Sequence, residues 1–401
     1  MKALKEDARL ALEGLPWEYG DAAEMQRLSA KYAGADQGKV TRVFGANFIG
    51  RMSGKVVEAF VAKADLLAAS PAYSDQSGVD WKTAAASAAK VLNHIGGVDG
   101  MDPTGWTWYC NVDDIEKLSP TESPAEILWR GERAKSLSLE EDNFPPTLYG
   151  NGRINPTQNL VDAFPMLNGY PVSHLSGEYD ENLPYANRDP RLEAYILYNG
   201  CKAGNTNKEI FTAADGTTND ALNKVVGRST RTGYYLRKLL RQDISLDPNA
   251  KADQYHYTPR IRYTEIFLAY AEAANQAYGP QDKGGNGYSA YDVVKKLRHR
   301  AGIGRDNGDA YLESIKNDQA KMAELIRNER RIELCFEGFR FWDLRRWKSN
   351  LTETAKGMNI SGTRYTPMEV DKRSFSEYMY YGPIPYSEVL KYDELKQNQG
   401  W

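Results

Sequence analysis

Three glutamates, Glu329, Glu333 and Glu337, recur every fourth residue within "RNERRIELCFEGFRFWDLRRWK", residues 327–348. On a helix that spacing stacks carboxylates along one face. Two carboxyls flanking a glycosidic bond are the machinery of glycoside hydrolysis. Each of these acids, however, has arginines beside it: Arg330, Arg331 and Arg340. A carboxyl held by a guanidinium stays ionised and cannot donate a proton at neutral pH. The segment therefore reads as a charge network that locks two helices together. A helix is expected to about Cys335, then a turn at Gly338 and a short helix through Asp343 to Trp347. Glu324–Arg327, Glu337–Arg340 and Asp343–Arg346 stand at ion-pair spacing. Phe336, Phe339, Phe341, Trp342 and Trp347 are expected to fill the gap between layers.

No other catalytic signature competes. The chain has no G-x-S-x-G, H-E-x-x-H, P-loop or C-x-x-C sequence, and "GNGRIN" (150–155) lacks the third glycine of a dinucleotide loop. His94, His174, His256 and His299 are scattered, none with a second ligand at helical spacing. Cys110, Cys201 and Cys335 lie far apart, which gives neither a disulfide framework nor a metal site. Asp113-Asp114 and Glu140-Glu141 are adjacent pairs and read as solvated loop acids. No cofactor or metal is implied, and the reading is non-enzymatic. A net charge of -3 provides no basic field for nucleic acid. Apolar runs fall well short of the roughly twenty residues of a membrane helix.

The residues best suited to binding are aromatic. A sugar site needs ring faces for the C–H side of a pyranose and polar groups for its hydroxyls. "GWTWYCNVDD" (105–114) offers Trp106, Trp108 and Tyr109 beside Asn111. "PTLYGNGRINP" (146–156) offers Tyr149, Asn151 and Arg153. They sit among glycines, prolines and short polar residues, off any helical stripe. Trp106, Trp108 and Tyr149 are therefore expected on an exposed loop face.

Helices must carry these loops. "MKALKEDARLALEGLPWEYG" reads as an amphipathic helix with Leu4, Ala8, Leu12 and Leu15 on one stripe. Residues 55–70 place Val56, Phe60, Ala64 and Leu67 at helical spacing, and 82–94 follow. Downstream, 261–280 and 289–302 form a second pair around a glycine-rich connector, "KGGNG" (283–287). Alanine-rich inner faces let two helices approach closely, as in tetratricopeptide hairpins. The expected fold is mainly α: helical hairpins carrying a long irregular loop-rich insertion, with minor β. The expected regions are an N-terminal scaffold (1–100), an irregular ligand-binding region (101–260), a second hairpin with the 327–348 helix (261–348), and an irregular C-terminal segment (349–401). Together they form one compact unit.

The 327–348 segment closely resembles the signature of the SusD/RagB family of nutrient-binding outer-membrane lipoproteins. Further stretches agree in order: "GRMSGKVVEAFVAKADLLAASPAY" (50–73), "NPTQNLVDAFPMLNG" (155–169), "YANRDPRLEAYILYNG" (185–200), "TGYYLRKLL" (232–240), "IRYTEIFLAYAEAANQAYG" (261–279) and "YYGPIPYSEVLKYDELKQNQGW" (380–401). The resemblance implies tetratricopeptide-like hairpins with an elaborated ligand-binding loop region. It implies a cell-surface, outer-membrane location and capture of glycan for a SusC-like TonB-dependent transporter barrel. Some branches of the family take peptides instead. Membrane attachment would come through a lipid on an N-terminal cysteine. Here about fifty residues precede the "GRMSGK" stretch, with no cysteine among them, so that anchor and some early hairpins are expected to be missing from this chain. "RDPR" (188–191) and "NPTQN" (155–159) read as buried turn structure. A tetratricopeptide-type adaptor binding only proteins is the alternative; the aromatic-rich 100–260 region argues against it.

Overall fold

The computed structural model describes residues 1–119 and 121–401. Its long helices are α1 Lys2–Gly14, α2 Ala22–Lys31, α3 Gln37–Phe44, α4 Gly54–Ala69, α5 Trp81–Asn93, α6 Tyr263–Tyr278, α7 Ala290–Ala301, α8 Gln319–Glu333 and α9 Phe339–Arg346. Helix dominates and sheet is minor. No helix among the described residues is long and apolar enough to cross a membrane.

The scaffold is built around α6. Every residue from Thr264 to Asn275 is buried, because α6 is contacted by α4, α5, α7 and α8 at once. A helix surrounded by other helices needs small residues all round, and Ala271, Ala273 and Ala274 meet Ala84, Ala85, Ala88 and Ala89 of α5 in one core. The α4–α5 and α6–α7 hairpins thus share a single scaffold. The buried face of α4 differs from the expected stripe. Phe60 and Leu67 are exposed, while Val56, Ala59, Ala62 and Ala69 face inward. Close approach to α5 excludes the large side chains, and Phe60 instead meets the Trp129 ring edge-on. Helix ends follow local chemistry: Ser289 and Asp292 form a reciprocal capping box at the start of α7.

Residues 101–260 contain core structure of their own. One cluster joins Trp108, Tyr109, Val161, Phe164, Tyr195 and Tyr234 to Ile332, Met358 and Ile360. Another joins Phe144, Leu197, Tyr235, Leu236 and Ile244. Short antiparallel ladders pin this layer. β1 Ile127–Arg130 pairs with β4 Pro259–Arg262, and β2 Ala134–Ser136 pairs with β3 Gln254–His256. The "RDPR" turn is buried: Arg188 donates to the carbonyls of Pro184, Val161 and Phe164 at 2.6–2.8 Å. The 349–401 segment, expected to be irregular, holds a hairpin of β5 Ala355–Ser361 and β6 Arg364–Asp371. Alternation of Met358 and Ile360 with outward polar residues drives it, and Gly362 turns it at φ 58°.

The 327–348 segment is structural. Arg191, fully buried, reaches Asp189 at 2.7 Å, Glu329 at 2.8 Å and Glu333 at 3.1 Å. Arg298 joins Glu329 to Asp309. Arg262 joins Glu126 to Glu337, and Lys238 adds to Glu337 at 2.7 Å. Asp343 holds Arg330 and Arg346 together, while Trp347 donates to Glu272 at 2.6 Å. Glu337 therefore pairs with Arg262 and Lys238 from other elements, in place of the expected Arg340. Phe341 and Trp342 also depart from expectation. They are exposed, because α9 turns Asp343, Arg346 and Trp347 inward to meet the charges.

Burial opposes the charge of Glu333, but Arg300, Arg191, Arg262 and Lys238 outweigh it and hold its carboxyl at about 2. A carboxyl lowered on folding stabilises fully above its unfolded value near 4.3, and loses that contribution as pH falls through the folded value. Glu333→Gln is therefore expected to lower the melting temperature at pH 6. The gap from wild type should narrow steadily towards pH 3 in a thermal-melt series. A gap that widens on acidification would contradict this assignment.

Candidate ligand-binding cleft

A cleft of about 630 Å³ opens between the short ladders and the scaffold. β2, β3 and the start of β4 form one wall through Ser136, His256, Tyr257, Thr258 and Arg260. The 138–143 turn of helix contributes Ser138, Leu139 and Asp142. The 336–339 turn contributes Phe336 and Phe339, α6 contributes Glu265, and Trp108 and Tyr109 close it.

The charge network positions the tryptophan loop. Arg300 donates to the Asp102 carbonyl at 3.0 Å, and Asp102 caps the turn through the Thr104 N–H at 2.9 Å. Gly105 then lies directly on the network: a Cβ there would fall 2.3 Å from Glu126 Oε2 and 2.8 Å from an Arg300 nitrogen. Only glycine permits that approach. The following turn brings Trp108 and Tyr109 together edge-on at 5.6 Å. Tyr109 donates to the Ala194 carbonyl at 3.0 Å, which fixes its ring.

Three buried polar atoms of the cleft lining have no hydrogen-bond partner among the described residues: Trp108 Nε1, the Tyr257 hydroxyl and Glu265 Oε2. Leaving a buried donor or acceptor unmade costs roughly 1–3 kcal/mol each, so three beside one cleft is a concentration of unmet hydrogen-bonding capacity. Burial pushes the Glu265 carboxyl up, with Lys63 at 2.8 Å opposing. Burial also raises the Tyr257 hydroxyl, which keeps it neutral. Arg133 stacks over Tyr255 at 3.8 Å from the ring centre and stiffens the β3 wall.

The loop residues singled out in the sequence do not gather in one place. Trp108 and Tyr109 line the cleft, yet both are buried, at 4% and 5% exposure. Trp108 is therefore an edge of the cleft wall and not the exposed platform expected. Trp106 is half-buried against the same aromatic core, and its carbonyl accepts from Tyr195 at 2.9 Å. Asn111 binds Asp114 within its own turn. Tyr149 is exposed, but it borders a separate depression of about 150 Å³ with Thr147, Asn205 and Thr206. Asn151 is half-buried, and its backbone N–H donates to the Glu141 carbonyl. Arg153 pairs with Asp142, a lining residue of the main cleft, at 3.1 Å. Tyr257, Arg260 and Glu265 were missed. The run "YHYTPR" (255–260) alternates aromatic and polar residues, which is a strand signal just ahead of a helix.

Comparison with known proteins agrees with this architecture. The SusD family profile matches residues 129–401. Two SusD-like proteins of Formosa agariphila are 33% identical over 85 residues and 32% identical over 152 residues. Those stretches cover 21% and 37% of this chain, but only 16% and 26% of the relatives. The crystal structure of a SusD-like protein of Bacteroides fragilis superposes with a TM-score of 0.70 at 25% identity, covering 99% of this chain and 70% of that one. A SusD-like carbohydrate-binding protein of the same species gives 0.64 at 21% identity, covering 96% and 76%. With buried charge network, helical scaffold and family profile in agreement, the chain belongs to the SusD family.

Proposed function

We propose that this protein binds an oligosaccharide without chemical conversion and holds it at the cell surface for a TonB-dependent transporter. The observation that carries the binding reading is the cleft of about 630 Å³ whose aromatic lining includes unpaired Trp108 Nε1, Tyr257 hydroxyl and Glu265 Oε2. Sugar hydroxyls both donate and accept. They can therefore satisfy an indole N–H, a phenol and a carboxylate together, while Tyr109 and Phe339 offer apolar surface. Family membership supports the surface and transporter roles. A buried, raised carboxyl in such a cleft is also what a glycosidase would use. Lys63 opposes that use of Glu265, and the flanking Glu337 is held ionised by Arg262 and Lys238 against its own burial.

The test is a glycan-array screen followed by calorimetry on the best ligand. Affinity is expected to be micromolar or weaker, which suits a carrier that must release its cargo. Tyr257→Phe keeps the ring and removes only the hydroxyl. It should weaken binding several-fold with the melting temperature nearly unchanged. Recovered ligand should be intact by mass spectrometry. Unchanged affinity in Tyr257→Phe would place the site elsewhere, and cleaved ligand would make the protein an enzyme.

A further inference from the structure

We infer that a second cleft, at the far ends of the helical hairpins, binds an oxyanion carried on a small hydroxylated ligand. This cleft encloses about 660 Å³ and shares no lining residue with the first. Its walls are the turn after α5 (Asn93, Gly96 to Asp99), the glycine-rich connector between α6 and α7 (Lys283, Asn286 to Tyr288), and one face of α7 (Asp292, Lys295, Lys296, His299).

Charge gives the ligand its sign. Three lysines and a histidine face two aspartates. The Asp292 carboxylate is already occupied, accepting from the Ser289 N–H at 2.8 Å and the Ser289 hydroxyl at 2.9 Å. Lys295 is shared with Tyr291 at 2.9 Å and Glu313 at 3.3 Å. Lys283 and Lys296 have no carboxylate partner among the described residues, and the Asp99 and Asp292 carboxylates share the cleft with them. A compact anion between these two ammonium groups gains from both.

Two further donors make the cleft a built site. The Tyr288 hydroxyl is buried without a hydrogen-bond partner among the described residues, and the Asn286 side-chain N–H₂ faces the Tyr270 hydroxyl with a second N–H left to donate. Tyr288 is only 8% exposed, and its ring is fixed from two sides. It packs on Tyr270 at 4.7 Å. On the other side lies Gly97, at φ 64°, where a Cβ would stand 2.7 Å from the ring. Burial raises the Tyr288 hydroxyl well above its ordinary value, so it stays protonated and can donate. Phenol, amide and ammonium are all donors, and a carboxylate or sulfate ester accepts from each. Gly96, Gly97 and Gly287 add no side chains to the lining, giving room for a ring bearing the anion.

The test is calorimetry on the full chain at low salt with D-glucuronate, D-glucose 6-sulfate and neutral D-glucose. At least one of the two anions is expected to bind ten or more times tighter than glucose, and its affinity should fall as salt is raised. The anion that binds identifies the carboxylate or the sulfate ester as the ligand class. The surface variant Lys283→Gln/Lys296→Gln should lose tenfold or more, and Tyr288→Phe several-fold. Tyr257→Phe, in the other cleft, should leave anion binding unchanged, so failure of one site does not decide the other. Equal binding of glucose and both anions, no anion binding by wild type, or full affinity in the double variant would overturn the assignment.

Discussion

Replacing Arg191 with alanine is expected to cost about 3–5 kcal/mol of folding stability, the scale for removing one partner from a buried ion cluster. Arg191 has no exposed side-chain surface, and its three nitrogens serve Asp189, Glu329 and Glu333. Alanine would leave three carboxylates close together with their main shared cation gone. Asp189 is the most vulnerable, because burial already raises its carboxyl against the pull of Arg191. These acids come from the 189–195 turn and from α8, so the loss separates the aromatic layer from the scaffold. Urea unfolding should show a large drop in midpoint. Arg9→Ala is the control. Its pairs with Glu6 and Glu13 are exposed, and the midpoint should not move. An Arg191→Ala protein with the wild-type midpoint would mean that the cluster does not hold the layers together.

Trp108→Ala is expected to cost about 3–5 kcal/mol, the usual range for truncating a large buried aromatic. The indole is 4% exposed and packs in the core that also holds Val161, Phe164 and Tyr195. The same truncation removes one wall of the cleft. Binding and stability should therefore fall together, unlike the behaviour of an exposed stacking platform. Trp108→Phe separates the two effects. It keeps an aromatic filler but lacks the unpaired indole N–H, so most stability should survive while glycan affinity falls. The checks are thermal melts and calorimetry on both variants. A Trp108→Ala protein that melts like wild type would show that the loop does not rest on the core.

The family was legible because its signature is a structural necessity. The acids and arginines of 327–348 must interlock under burial, and that requirement fixes residue types and spacing together. The helices of the scaffold were legible from periodicity: α6 and α7 lie within two residues of the expected 261–280 and 289–302, and α8 ends near the expected Cys335. The inward face of α4 was not. Periodicity marks Phe60 and Leu67 as readily as Ala59 and Ala62, and only the closeness of α5 selects the small residues. Glu337 shows the same limit. Its spacing matched Arg340 three residues on, yet Arg262 and Lys238, far away in sequence, took the carboxylate. The binding residues divide along this line. By itself, the sequence determined that aromatic, polar loops sit on a helical scaffold locked by charges, because composition and local spacing carry that information. Only the tertiary structure decided that Trp108 is buried, that Tyr149 lies apart from it, and that Tyr257 and Glu265 share its cleft. Those facts depend on which strands pair across more than one hundred residues, as β2 does with β3, and local spacing holds no record of such pairings.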